Sequence, residues 1–164
     1  MSTQVSSLIG VNLGNSDSTA LFTLGTVSLG TDGSWFEYCE FTATQITGRL
    51  VIIGTNGTAV GLLTAKLTAS AIGYDIGAVQ NVVNQGEFGW VARKGRNLYV
   101  SITGTLTAGG EVAFAAAGGK LENVAGAGVG QTANGIWITT SDSAQSLVKA
   151  TLATLLWPTS VIKP

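Results

Sequence analysis

The sequence predicts an all-β fold: a single-domain antiparallel β-barrel or jelly-roll-like sandwich over residues 20–164, preceded by an extended N-terminal arm over residues 1–19. Three observations carry this. Short apolar runs recur about every eight to twelve residues with turn signals between them. The run Asn97–Thr103 alternates cleanly, with Leu98, Val100 and Ile102 on one face and Asn97, Tyr99, Ser101 and Thr103 on the other. The 164 residues include 23 Gly, many in turn dipeptides or pairs, and the length suits one domain with one core.

The elements follow in order. Residues 1–19 are rich in Ser, Asn and Gly, with one apolar cluster at Leu8, Ile9, Val11 and Leu13. Such a segment is weakly ordered alone and reads either as an arm that docks on a neighbour or as a frayed terminus. Leu21–Leu29 and Ser34–Ala43 flank Asp32-Gly33, and Leu50–Ile53 and Ala59–Leu63 flank Asn56-Gly57. Both read as hairpins, because Gly accepts positive φ. Leu67–Gly73 reads as a single helical turn capped by Thr68. Asp75–Val83 reads as a strand. Glu87–Arg93 and Asn97–Thr103 read as a third hairpin around Lys94-Gly95-Arg96.

Glu111–Ala116 is a further strand, and residues 118–135 read as a Gly-rich loop. Within that loop Gly126-Ala-Gly128-Val-Gly130 lacks the strand, helix and Lys-Ser/Thr of a phosphate loop. Ile136–Thr140 is a strand. Leu147–Trp157 fits a strand ended by Pro158, although Leu147, Val148, Thr151, Leu152, Leu155 and Leu156 also fit a helical stripe.

Composition narrows the function. Histidine is absent and Cys39 is the only cysteine. Ser-His-Asp and Cys-His catalysis, His-ligated metals, zinc knuckles and internal disulfides are therefore excluded. Glu37 and Glu40 lie on opposite faces of one strand and cannot act as a glycosidase pair. No catalytic, cofactor or metal residues are expected. A net charge of -1 gives no drive toward nucleic acid. No apolar run approaches the roughly 20 residues of a spanning helix, the N-terminus lacks the features of a signal peptide, and no membrane partner is expected.

Charged residues make up 10% of the chain, against about 25% in ordinary domains. Mean hydropathy is +0.38. Burial in an assembly accounts for both values. The candidate interface residues are Leu8, Ile9, Val11 and Leu13 in the arm, aromatics of the segment 35–41, and the basic cluster Arg93, Lys94 and Arg96. In 35–41, alternation puts Trp35, Cys39 and Phe41 on one face and Phe36 and Tyr38 on the other. A strand apolar on both faces is buried twice, as a central sandwich strand or at a subunit interface. The basic cluster reads as a solvated turn or as an ionic contact to an acidic neighbouring subunit.

The order of segments resembles the capsid decoration, or cement, proteins of tailed bacteriophages. The resemblance runs from about residue 20 to residue 158. It rests on Phe22-Thr-Leu-Gly-Thr, Gly30-Thr-Asp-Gly-Ser-Trp-Phe-Glu-Tyr, and Leu67-Thr68 with Gln80. It continues through Phe88-Gly-Trp-Val-Ala92 ahead of Gly95, then Asn134-Gly-Ile-Trp-Ile and Ala150-Thr-Leu-Ala-Thr-Leu-Leu-Trp-Pro158. It implies a non-enzymatic β-subunit on the outside of the capsid, assembled as a homodimer or homotrimer. The implied partner is the major capsid protein, with assembly in the host cytoplasm. A head-fibre, tail or glycan-binding virion protein is the alternative.

Overall fold

The computed structural model describes residues 13–61, 75–109, 112–115, 118–123, 131–134, 136–139, 147–152 and 159–162. The architecture is all-β, and no helix occurs among the described residues. The strands are β1 (Val27–Leu29), β2 (Trp35–Phe41), β3 (Leu50–Ile53), β4 (Thr58–Gly61), β5 (Asp75–Val79) and β6 (Phe88–Ser101). They continue with β7 (Val112–Phe114), β8 (Leu121–Asn123), β9 (Gln131–Asn134), β10 (Ile136–Ile138), β11 (Leu147–Leu152) and β12 (Thr159–Ile162).

Five strands close a barrel in the order β2-β4-β3-β5-β6, with β6 pairing back onto β2. Four of the five pairings are antiparallel. The β2–β4 pairing is parallel, so the barrel is mixed rather than purely antiparallel. The Asp32-Gly33 and Asn56-Gly57 hairpins form as expected, and Gly33 and Gly57 hold φ of 79° and 77°. Strand β3 keeps the bounds read from the sequence.

Strands β2, β3, β5 and β6 bury residues on both sides, and the two sides feed two cores, whereas β4 supplies only Ala59. Cys39, Phe41, Val51, Ile53, Ala59, Val79, Val83 and Val91 form one cluster. All five barrel strands contribute to it, so it fills the barrel. Its small members, with Gly77 and Gly89 among them, suit a narrow lumen. A Cβ on Gly77 would stand 2.2 Å from Val91 Cγ1. The opposite faces supply Phe36, Tyr38, Leu50, Ile52, Ile76, Ala78, Trp90 and Ala92. These join Leu98, Val100, Ile102, Val112, Phe114, Leu121, Ile136 and Ile138 in a larger core outside the barrel.

Strand β6 links the two. Its first half pairs with β2 and β5, and its second half pairs with β11, which carries β10 on its far side. A second sheet runs β12-β9-β7-β8.

This corrects the third hairpin. Lys94-Gly95-Arg96 does not turn but lies inside one 14-residue strand. Gly95 has φ 149° and its missing Cβ leaves room for Ser34: a methyl there would meet Ser34 Oγ at 2.2 Å and Ser34 Cβ at 2.7 Å. The glycine serves a close approach instead of a reversal. The expected loop 118–135 contains β8 and β9, and Leu147–Leu152 is a strand. The helical turn at 67–73 and the segment Gly126–Gly130 lie outside the described residues.

From Leu13 onward the N-terminal segment is tied to the barrel. Leu13 is buried in the larger core. Asp17 exchanges backbone hydrogen bonds with Phe88, at 2.9 and 2.8 Å. Ser16 Oγ donates to Glu87 Oε2 at 2.6 Å, Asn81 Nδ2 donates to the Gly14 carbonyl, and Tyr38 Oη donates to Asp17 Oδ2 at 3.2 Å. Residues 13–17 therefore pack against the β-domain.

Candidate interface surfaces

The ten residues singled out from sequence fall into different environments. Leu8, Ile9 and Val11 lie outside the described residues. Leu13, Phe36 and Tyr38 are interior. Tyr38 is ringed by Phe22, Phe88 and Trp90, with centroids 5.2, 6.3 and 5.1 Å away. Burial raises its phenol pKa. Phe36 and Tyr38 thus meet their own chain's core, which supports the central-strand alternative for segment 35–41.

The β2–β6 register shifts between Trp35 and Phe36. Trp35 then lies opposite Lys94, whose ammonium stands 5.1 Å from the centre of the indole. Trp35 is half-buried and does not join the buried cluster of Cys39 and Phe41. The extra residue at this shift is Arg93 of β6, so β2 keeps its alternation while Lys94 is brought opposite Trp35.

The basic cluster divides three ways. Arg96 is exposed and Lys94 half-buried. Arg93 is 1% exposed, so it is not a residue of a solvated turn. Its Nη1 donates to Glu37 Oε2 at 2.5 Å, and its Nη2 lies 3.0 Å from Asp75 Oδ1. The three groups come from adjacent strands β2, β6 and β5, and all belong to the lumen side of the register. Arginine fits here because its guanidinium reaches two carboxylates at once.

Burial raises the pKa of Glu37, opposed by the charge of Arg93. Burial also pushes up the Cys39 thiol, with the Glu37 charge adding to the shift. A fully buried, protonated thiol is a small apolar filler of the lumen and a poor nucleophile.

Exposed apolar side chains form the surfaces available to a partner. On β1, Val27 is 46% and Leu29 is 59% exposed. On β10, Trp137 is 63% exposed while the flanking Ile136 and Ile138 are buried. The edge position of β10 leaves Trp137 at the rim of the large sheet. Ile46 and Val82 are also exposed. Gln45 and Val83 exchange two backbone hydrogen bonds, at 2.8 and 3.0 Å, so antiparallel register sets Ile46 opposite Val82.

Sequence reasoning did not single out these five side chains. Ile136-Trp137-Ile138 did carry a usable signal, since buried isoleucines on an alternating strand turn the tryptophan outward. In comparisons with known proteins, no family model and no curated protein matches the chain.

Proposed function

We propose that the chain is a non-enzymatic virion structural protein that binds the outside of a bacteriophage capsid as an oligomer. There it cements contacts between major capsid protein subunits. The supporting observation is the exposure of Val27, Leu29, Ile46, Val82 and Trp137 on a domain with 10% charged residues. Apolar spots on separate segments give a small protein several contacts, and joining copies multiplies weak contacts into firm attachment. The resemblance in segment order supports the choice of capsid as the surface.

The test compares particles with and without the protein. Complete particles should withstand heat and low salt better, and purified protein should restore the difference at hundreds of copies per particle, in keeping with a repeated seam. Equal resistance of the two particle types would refute cementing.

Trp137 favours a second reading, a head-fibre, tail or receptor protein that stacks the indole on a sugar ring. Glycan-array binding abolished by Trp137→Ala, with tens of copies or fewer per particle, would decide for it.

A further inference from the structure

Strand β1 stands at one end of the large sheet. Its inner edge bonds to β2. Gly30 N–H donates to the Ser34 carbonyl at 2.7 Å, and Tyr38 N–H donates to the Thr26 carbonyl at 2.9 Å. Hydrogen-bonded positions alternate along an antiparallel strand, so Thr26, Ser28 and Gly30 face β2. The N–H and C=O groups of Val27 and Leu29 then point away from β2. Strand β1 ends the large sheet, and no strand lies beyond it among the described residues.

We propose that β1 pairs with β1 of a second copy, antiparallel, about a two-fold axis through Ser28. In that register Val27 faces Leu29 of the other copy, and the reverse. Each such pair is of the hydrogen-bonded type, so two copies make four new N–H···O=C bonds. The donors and acceptors of one strand supply everything the other needs, as an isologous contact requires. The side chains agree. Residues 18–31 contain no charged residue, so no like charges meet across the axis. Native sheets guard an open edge with short strands, lysine, proline or a bulge; Val27-Ser28-Leu29 is short, but it has neither lysine nor proline and pairs with β2 in unbroken register. Pairing joins the two large sheets edge to edge.

The inference deepens the oligomer reading of the proposed function by naming its contact. It commits the assembly to a dimer or to a higher even number built from dimers.

Ser28 gives the sharpest test. Residues on the axis form a non-hydrogen-bonded pair with Cα atoms about 4.5 Å apart, within disulfide range. Full-length Ser28→Cys should form a covalent dimer under mild oxidation, and the exposed-site control Val82→Cys should not. Cys39 is buried and does not compete. Val27→Pro removes an outward donor from each copy while sparing the bonds to β2. It should weaken dimerisation roughly tenfold to a hundredfold by analytical ultracentrifugation, with an unchanged circular dichroism spectrum.

A trimer, or a Ser28→Cys protein that crosslinks no faster than Val82→Cys, overturns the β1 contact. So does a Val27→Pro protein that dimerises as tightly as the parent. None of these results bears on particle stability, and a failure of cementing leaves the crosslink unaffected.

Discussion

Replacing Gly95 with Ala tests the continuity of β6 directly. The added methyl would stand 2.2 Å from Ser34 Oγ, 2.7 Å from Ser34 Cβ and 3.2 Å from Ser34 Cα. Ser34 is fully buried, so it has little room to retreat. Overpacking of this kind costs about 1–3 kcal/mol. The φ of 149° adds backbone strain of about 1 kcal/mol or more for an L-residue. The expected loss is about 2–4 kcal/mol, or roughly 4–16 °C in Tm for a chain of this size. Urea denaturation followed by tryptophan fluorescence would measure it.

A second substitution separates the causes. Ser34→Gly removes both side-chain atoms that the methyl meets. The double variant should recover the overpacking share and keep the backbone share, giving a coupling of about 1–3 kcal/mol. A loss below about 0.5 kcal/mol for Gly95→Ala would refute the reasoning, because surface substitutions behave that way. Lys94-Gly95-Arg96 would then be the solvent-exposed turn that its composition suggests.

Three other outcomes follow from the same structure. Arg93→Met strands the Glu37 carboxylate in the barrel and should cost about 3 kcal/mol or more in denaturant, whereas Arg93→Met with Glu37→Leu should recover most of that loss. Phe41→Ala empties part of the lumen and should cost about 3–5 kcal/mol in the same assay, with no change in oligomeric state. Hydrogen bonds from Ser16 and Asn84 hold the Glu87 carboxyl below its ordinary 4.5. Its contribution is therefore present above pH 4.5 and lost as pH falls through the depressed value. Melting curves between about pH 3 and 6 should fall less steeply toward acid for Glu87→Gln than for the parent, and an unchanged slope would remove Glu87 from the account.

Much of the fold was legible because its signals are local. Asp32-Gly33 and Asn56-Gly57 announce reversals through the glycine that the turn requires. Leu50–Ile53 is an unbroken apolar run, as expected of a strand covered on both faces. The double burial of β2 could be read from Phe36 and Tyr38 alternating with Cys39 and Phe41. What escaped was decided elsewhere in the chain. Gly95 resembles a turn glycine until Ser34 is placed against it. Arg93 resembles a surface cation until Glu37, 56 positions earlier, arrives beside it. A carboxylate on the same side of β2 as Cys39 and Phe41 was the available clue, since a buried acid needs a counter-ion. Strands β8 and β9, Leu-Glu-Asn and Gln-Thr-Ala-Asn, are too short and polar to carry an apolar period.

The route by which the barrel closes also sets a timetable for the emerging chain. Strands β1 to β5 can pair in part as they leave the ribosome. The return of β6 to β2 must wait for Phe88–Lys94, and the parallel β2–β4 seam has no short hairpin to guide it. Until then the flank of β2 that will take up β6, and the apolar residues on both its sides, lie open to solvent. Such non-local closure is intrinsically slow, commonly in the millisecond-to-second range. Exposure of that kind invites premature sticking when many copies are made at once. High expression rates should therefore raise the insoluble fraction, and slowing synthesis upstream of residue 88 should raise it further.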